Sequence, residues 1–198
     1  KALVPNAAIV DTDIDTEKKP LDDELKRQIT LLGATLGHET EAQKLIEAFE
    51  AAIERVKTAY STDNTVMGVI TSGGTINYAA PKTGRDVGPL FPVLGLTPAL
   101  EVEGTGDHKG DDVSLEAIAS ANPDWIIVMD RDAAVAADEE GYKPAAELIE
   151  NAEALAHVTA ITEGHVVYMP SNFYITEDIQ AYTEFLETFA DALESVSY

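Results

Sequence analysis

Four loop side chains are of types that hold an anion or a hard metal ion: Arg85, His108, Arg131 and Tyr174. A guanidinium offers a planar fork of donors that matches carboxylate, phosphate or catecholate oxygens. The chain has only four arginines. Arg27 and Arg55 fall within helical periodicity and are expected on solvent faces. Arg85 and Arg131 lie in loops after strands. Arg131 follows the apolar run Trp125-Ile126-Ile127-Val128-Met129, and ligands of α/β proteins collect outside the carboxyl ends of parallel strands. Ion pairing with Asp86, Asp130 or Asp132 is the competing use of both guanidiniums. His108 sits one loop earlier than Arg131, in Gly106-Asp107-His108-Lys109-Gly110-Asp111-Asp112. It reads either as a metal ligand or as part of a solvated turn, with no second histidine at i+2 or i+4 to complete a metal motif. Tyr174, in Pro170-Ser171-Asn172-Phe173-Tyr174, offers a phenolate suited to ferric iron, or an aromatic packed under the closing helix. His38, His157 and His165 have no helpful neighbours and read as structural.

The composition narrows the partners. A formal net charge of −23, from 36 acids against 13 bases, argues against nucleic acid or an anionic membrane as partner. With no cysteine there is no disulfide framework, thiolate zinc site or cysteine nucleophile. No run approaches the roughly 18 apolar residues of a membrane span. The chain begins at Lys1 rather than Met, so its start reads as a boundary, and the lack of a targeting segment says nothing about compartment. Ser72-Gly73-Gly74-Thr75 is neither a P-loop nor a GxGxxG turn, and no Gly-x-Ser-x-Gly elbow is present. The chain carries no strong enzyme motif.

The elements that must position the four side chains follow from periodicity. Ala7-Ala8-Ile9-Val10 is expected to be the last strand or turn of something larger. Leu25, Ile29, Leu32 and Leu36 mark one face of a helix that Gly37 ends. Thr40 to Gln43 reads as a capping box for a second helix, buried along Leu45, Ile46, Phe49, Ile53 and Val56. Thr65 to Thr71 is a strand too apolar to be half exposed. Val87 to Leu94 reads as a helix, with Pro89 and Pro92 against it. Ser114 caps a helix through Ala121, residues 125–130 form a strand, and Lys143 to Leu155 is helical with a break. His165 to Met169 is the last strand. Thr176 is expected to cap a closing helix striped by Ile179, Tyr182, Phe185, Leu186, Phe189 and Leu193. Strands alternating with helices predict βαβ units in a three-layer αβα, Rossmann-like sandwich. The helix pair at 21–60 separates residues 1–20 from an α/β unit at 61–198.

The segment Ser114-Leu115-Glu116-Ala117-Ile118-Ala119, with Asn122-Pro123-Asp124-Trp125-Ile126-Ile127-Val128-Met129-Asp130-Arg131-Asp132-Ala133-Ala134-Val135, resembles a stretch of the periplasmic siderophore-binding proteins. Gln28 to Gly33 resembles that family's interlobe helix, and Phe173-Tyr174 resembles its last loop, departing from the tryptophan–tyrosine pair usual there. The resemblance covers about residues 20–195. It implies the C-terminal part of a class III periplasmic-binding-protein fold, with 1–20 a remnant of an N-terminal lobe, 21–60 a helical spine and 61–198 the C-terminal lobe. It implies a receptor, not an enzyme, that captures ferric iron as a siderophore complex for an ABC importer and docks on its permease. Such a receptor is periplasmic or a membrane-anchored lipoprotein. Catecholate binders of the family use arginines at the positions of Arg85 and Arg131. In some, a histidine and a tyrosine at the positions of His108 and Tyr174 complete the iron coordination. The nearer alternative is a receptor of the same fold for heme, cobalamin or a hydroxamate siderophore. The more distant one is a metal-dependent hydrolase using His108 with Asp111 and Asp112. An exposed spine also raises the expectation of self-association.

Overall fold

The computed structural model describes residues 8–196. Helix α1 (Leu21–Leu36) ends where Gly37 turns left-handed at φ 74°, a conformation that only glycine adopts at little cost. Helix α2 (Glu39–Ala59) follows at once. Strand β1 (Thr65–Ser72) turns through Gly73 and Gly74, at φ 60° and 77°, into the antiparallel strand β2 (Thr75–Tyr78). Two successive positive φ angles make the tight hairpin turn whose twist suits the strands. Helix α3 (Leu90–Leu94) and the short strand β3 (Thr97–Pro98) bring the chain back to the start of β1. Then come α4 (Leu115–Ala121), β4 (Trp125–Asp130) and α5 (Arg131–Val135). Helix α6 (Ala145–Glu150), a 3-10 turn at Glu153–Leu155 and α7 (Thr159–Thr162) lead to β5 (Val166–Tyr168). Helices α8 (Phe173–Thr176) and α9 (Ile179–Ser195) close the chain.

Strands β1, β4 and β5 run parallel, with Thr71 at the end of β1 in register with Asp130 at the end of β4. β2 and β3 share the other edge of β1. Successive strand residues point to opposite faces. Val66, Ile70, Trp125, Ile127 and Met129 therefore join one core with α1, α2, α3 and α9. Met67, Val69, Ile126 and Val128 join a second core with α4, α6 and α7. This is the expected three-layer αβα sandwich. The six stripe residues of α9 are all buried, against Phe49, Ile53 and Val56 of α2, and each such side chain contributes about 1.5–3 kcal/mol. Among the described residues, no helix is long and apolar enough to cross a membrane.

Several expectations are corrected. Residues 8–10 form no strand, and Ile9 and Val10 are exposed; Ala7 lies outside the described residues. The segment that follows is tied instead to α1. Gln28 Nε2 donates to the carbonyl of Thr12 at 2.9 Å, and the Arg27 guanidinium donates to those of Asp11 and Asp13. The α1 stripe is buried only at its start: Leu25 is inaccessible, whereas Leu36 is 68% exposed. No capping box opens α2. The Gly37 turn places His38 at the cap, and Gln43 bonds Glu47 instead. The helix at 87–94 shrinks to Leu90–Leu94: residues 85–89 run as turns, with the Leu90 N–H on Val87 O at 3.1 Å and the Phe91 N–H on Gly88 O at 3.2 Å, and Pro89 stands at the cap. Asp178, not Thr176, caps α9, accepting from the N–H groups of Gln180 and Ala181 at 3.0 and 2.9 Å. Thr176 is one residue too far inside α8 and bonds back to the carbonyl of Phe173.

Candidate functional site

At the carboxyl end of β4 the chain turns directly into α5, with Asp130 as its cap. One Asp130 oxygen accepts from the Ala133 N–H at 3.0 Å, and the other from the Tyr142 hydroxyl at 3.0 Å and the Ala145 N–H at 2.8 Å. Asp130 is thus used up in holding the turn, which aims Arg131 away from it. Arg131 pairs with Asp132 at 3.1 Å, and Asp132 also accepts from the Gly73 N–H at the hairpin turn. Arg131 Nε is buried without a hydrogen-bond partner among the described residues. So is Thr71 Oγ1, at the carboxyl end of the adjacent strand β1. Trp125 Nε1, in the core, is likewise buried without a hydrogen-bond partner among the described residues, so an unpartnered donor does not by itself mark a site.

Helix α8 packs against α5 and carries Tyr174. The guanidinium carbon of Arg131 lies 5.0 Å from the Tyr174 ring centroid, and that of Arg85 lies 5.1 Å from it. Two cations over one ring is attractive for each, because the ring face is electron-rich. Arg85 arrives by a different route, from the compact loop after β2. In that loop Gly88 N–H donates to Gly84 O at 2.8 Å and Lys82 N–H to Gly88 O at 2.8 Å. A Cβ on Gly84 or Gly88 would stand 2.4 Å from backbone atoms, so only glycine lets the loop close.

Arg85 is already paired. Its Nε donates to Glu177 Oε1 at 3.1 Å, and its Nη2 donates to the same oxygen. Asp86 Oδ2 is 3.7 Å from Arg85 Nε. Asp86 is 8% exposed, and that oxygen accepts no hydrogen bond among the described residues. Burial first, and the Glu177 charge second, push its carboxyl up to about 7, with Arg85 pulling the other way. The buried Tyr182 hydroxyl donates to the Asp86 carbonyl at 3.1 Å and holds the loop against α9. A groove of about 860 Å³ opens beside Arg85, lined by Lys82, Thr83, Gly106, Glu177 and Tyr182 and by the 14–21 segment.

Three of the four expected side chains therefore come together: Arg85, Arg131 and Tyr174. His108 does not join them. Among the described residues its polar contact is with Asp107, at 3.9 Å, and its ring is about half exposed. Its loop nonetheless borders the groove, since Thr83 Oγ1 donates to Gly104 O at 3.3 Å. Asp111 is taken up by the same loop, accepting from Thr105 N–H and hydroxyl, and no group of three or more metal-ligating side chains is present among the described residues. Of the remaining histidines, His38 caps α2 and His165 stacks on Trp125 at 4.3 Å. Sequence reasoning missed Glu177 and named Asp86 only as an ion-pair partner. Asp86 adjoins Arg85, but nothing in the sequence marks Glu177, 92 positions away.

The family model described as periplasmic binding protein matches residues 2–173. The chain is similar to the petrobactin-binding protein YclQ of Bacillus subtilis, 29% identical over 140 residues, covering 70% of this chain and 42% of that protein. It is also similar to the ferric-anguibactin-binding protein FatB of Vibrio anguillarum, 28% identical over 156 residues, covering 78% of this chain and 46% of FatB. A solved TroA-like periplasmic binding protein from Xylanimonas cellulosilytica superposes with a TM-score of 0.71 at 30% identity, covering 86% of this chain and 58% of that one. The chain thus spans less than half the length of the curated relatives it matches.

Proposed function

The chain belongs to the periplasmic binding protein family, and from that membership we propose that it is the ferric-siderophore-binding component of an ABC importer, for ligands of the catecholate class. The family's role is solute binding outside the cytoplasm. Two relatives carry names of ferric-siderophore or siderophore receptors, which supports the class of cargo. The observation that carries the reading is Tyr174 held under both Arg85 and Arg131 at the carboxyl end of the sheet.

A ferric tris-catecholate is a large octahedral anion whose three catechol rings fan out like propeller blades. Its catechol rings suit an aromatic floor, and its oxygens suit two guanidiniums. Each charge-assisted bond contributes about 1.5–3 kcal/mol when shielded from water. The overall charge of −23 opposes the ligand at long range, but salt screens that field within about 8–10 Å, so local arginines prevail. The Tyr174 phenol and, after movement of its loop, His108 are the groups to complete iron coordination. Iron here is cargo, not a resident cofactor. Residues 21–60 would serve as the spine and 61–198 as one lobe of a two-lobed receptor that docks on a membrane permease, anchored as a lipoprotein or free in the periplasm. The exposed Leu32 and Leu36 on α1 are where such a spine would meet another lobe or a second copy of the chain.

Heme, cobalamin or a hydroxamate complex is the second reading. Two guanidiniums over one ring favour a multiply charged anion over a neutral ligand. The test is a titration following quenching of Trp125 and the tyrosines, with ferric tris-catecholate and ferric hydroxamate complexes side by side. Saturable quenching by the catecholate, lost in Arg131→Ala and kept in Arg55→Ala, is the expected result. Equal behaviour of the two variants, or a preference for the hydroxamate, would sink the assignment.

A further inference from the structure

We propose that Glu177 is an internal counter-ion that occupies Arg85 until a multiply charged anion displaces it, so that it filters ligands by charge. The inference rests on the anion-binding reading of Arg85, Arg131 and Tyr174.

Three observations carry it. First, Glu177 Oε1 takes two donors of the Arg85 fork, Nε at 3.1 Å and Nη2, which is the face a ligand oxygen would use. Second, both partners are only partly covered, with side chains 37% and 32% exposed, so the pair lies within reach of an incoming ligand. Third, Glu177 has a left-handed backbone, φ 44°, which side chains other than glycine and asparagine seldom adopt. That conformation is held from both sides. The Glu177 N–H donates to Phe173 O at 3.0 Å, closing α8, and Asp178 opens α9 as its cap. The carboxylate is thus rooted between two helices and presented to Arg85.

The consequence is an exchange. A singly charged ligand that takes Arg85 merely replaces one carboxylate by another and leaves Glu177 to be hydrated again. A ligand with two or three charges gains Arg85 and Arg131 together while losing the same single pair. Glu177 therefore lowers the affinity for every anion by the same broken pair, a cost that a ligand reaching Arg131 as well can offset and a monoanion at Arg85 alone cannot. The other carboxylates at the two guanidiniums are Asp86, 3.7 Å from Arg85, and Asp132, 3.1 Å from Arg131.

The experiment uses the whole chain and three proteins: the parent, Glu177→Gln and Glu177→Gly. The glycine variant suits the left-handed position and guards against a folding defect in the first. Two probes, benzoate and the ferric complex of 2,3-dihydroxybenzoate, are titrated while the Nε–H resonances of Arg85 and Arg131 are followed by NMR. Both variants should bind benzoate about fivefold more tightly than the parent does, with a gain at least as large for the ferric complex. If neither variant gains on benzoate, or if both weaken binding of the ferric complex, the filter is wrong. If the variants gain on benzoate but the parent ignores the ferric complex, the filter stands and the siderophore reading falls. If Arg131→Ala loses the ferric complex while the Glu177 variants gain nothing, the siderophore reading stands and the filter falls.

Discussion

Arg55 and Arg131 are the same residue type in two regions of one molecule, and they do opposite things. Arg55 on α2 spends its donors on three carboxylates of α9: Glu187 at 2.6 Å, Asp191 at 2.5 Å and Glu194 at 2.6 Å. It fastens two helices that already share a buried apolar seam, and its charge is fully answered. Arg131 has one adjacent carboxylate, an aromatic face and a buried Nε without a partner. On this contrast Arg55 reads as a structural arginine and Arg131 is the one proposed to bind. Arg85 stands between the two, paired with Glu177 and with Asp86 at 3.7 Å, yet partly open to solvent.

The strongest way to sharpen this contrast is at Asp86, the unmatched acid on the binding side. Its ordinary value is 3.8 and its value in the fold is about 7, so the folded chain holds the proton more tightly than the unfolded chain. That contribution to stability is complete below the lower value and is lost as pH rises through the upper one. Asp86→Asn should remove the loss and raise stability at pH 8 by on the order of 2–3 kcal/mol relative to pH 5. Urea denaturation at the two pH values checks it, and an unchanged slope in the variant would assign the effect elsewhere.

The next largest effect is on binding. Arg131→Ala should weaken the ferric tris-catecholate by about 10- to 100-fold, with little change in thermal stability, because its bonds are reserved for the ligand. Arg55→Ala should do the reverse. Binding should stay within twofold of the parent while the melting temperature falls by about 2–4 °C, less at high salt. Parallel losses in both variants would erase the distinction. The smallest expected effect is at Tyr174. Tyr174→Leu removes the ring under both guanidiniums and should cost about threefold in affinity. Tyr174→Phe keeps the ring, so a loss as large as that of the leucine variant would mean that the phenol oxygen, rather than the ring face, meets the ligand.

Much of the scaffold was legible because burial writes a periodic signal. Strands 65–72 and 125–130 are covered on both faces, and their apolar runs read straight from the chain. The α9 stripe repeats at helical spacing because one face is buried along its whole length. Strand β2 was missed. Thr75-Ile76-Asn77-Tyr78 lies at an edge, with only Tyr78 buried, and leaves no such run. Both helix caps lie two residues from Thr40 and Thr176, because the Gly37 turn sets the start of α2 and the Asp178 side chain takes the first N–H groups of α9.

The site divides in the same way. The sequence by itself determined Arg131, because its place at the end of a buried parallel strand is a local fact that the βαβ pattern carries. It also determined the three layers and their order along the chain. Only the tertiary structure decided that Arg85, from a loop beyond an antiparallel edge strand, would reach the same Tyr174, and that His108 would not. It alone placed Glu177 on Arg85 and sealed Asp86 beneath them. Periodicity reports which face of an element is buried. It does not report which loops meet, because contacts between residues far apart in the chain depend on how whole layers pack.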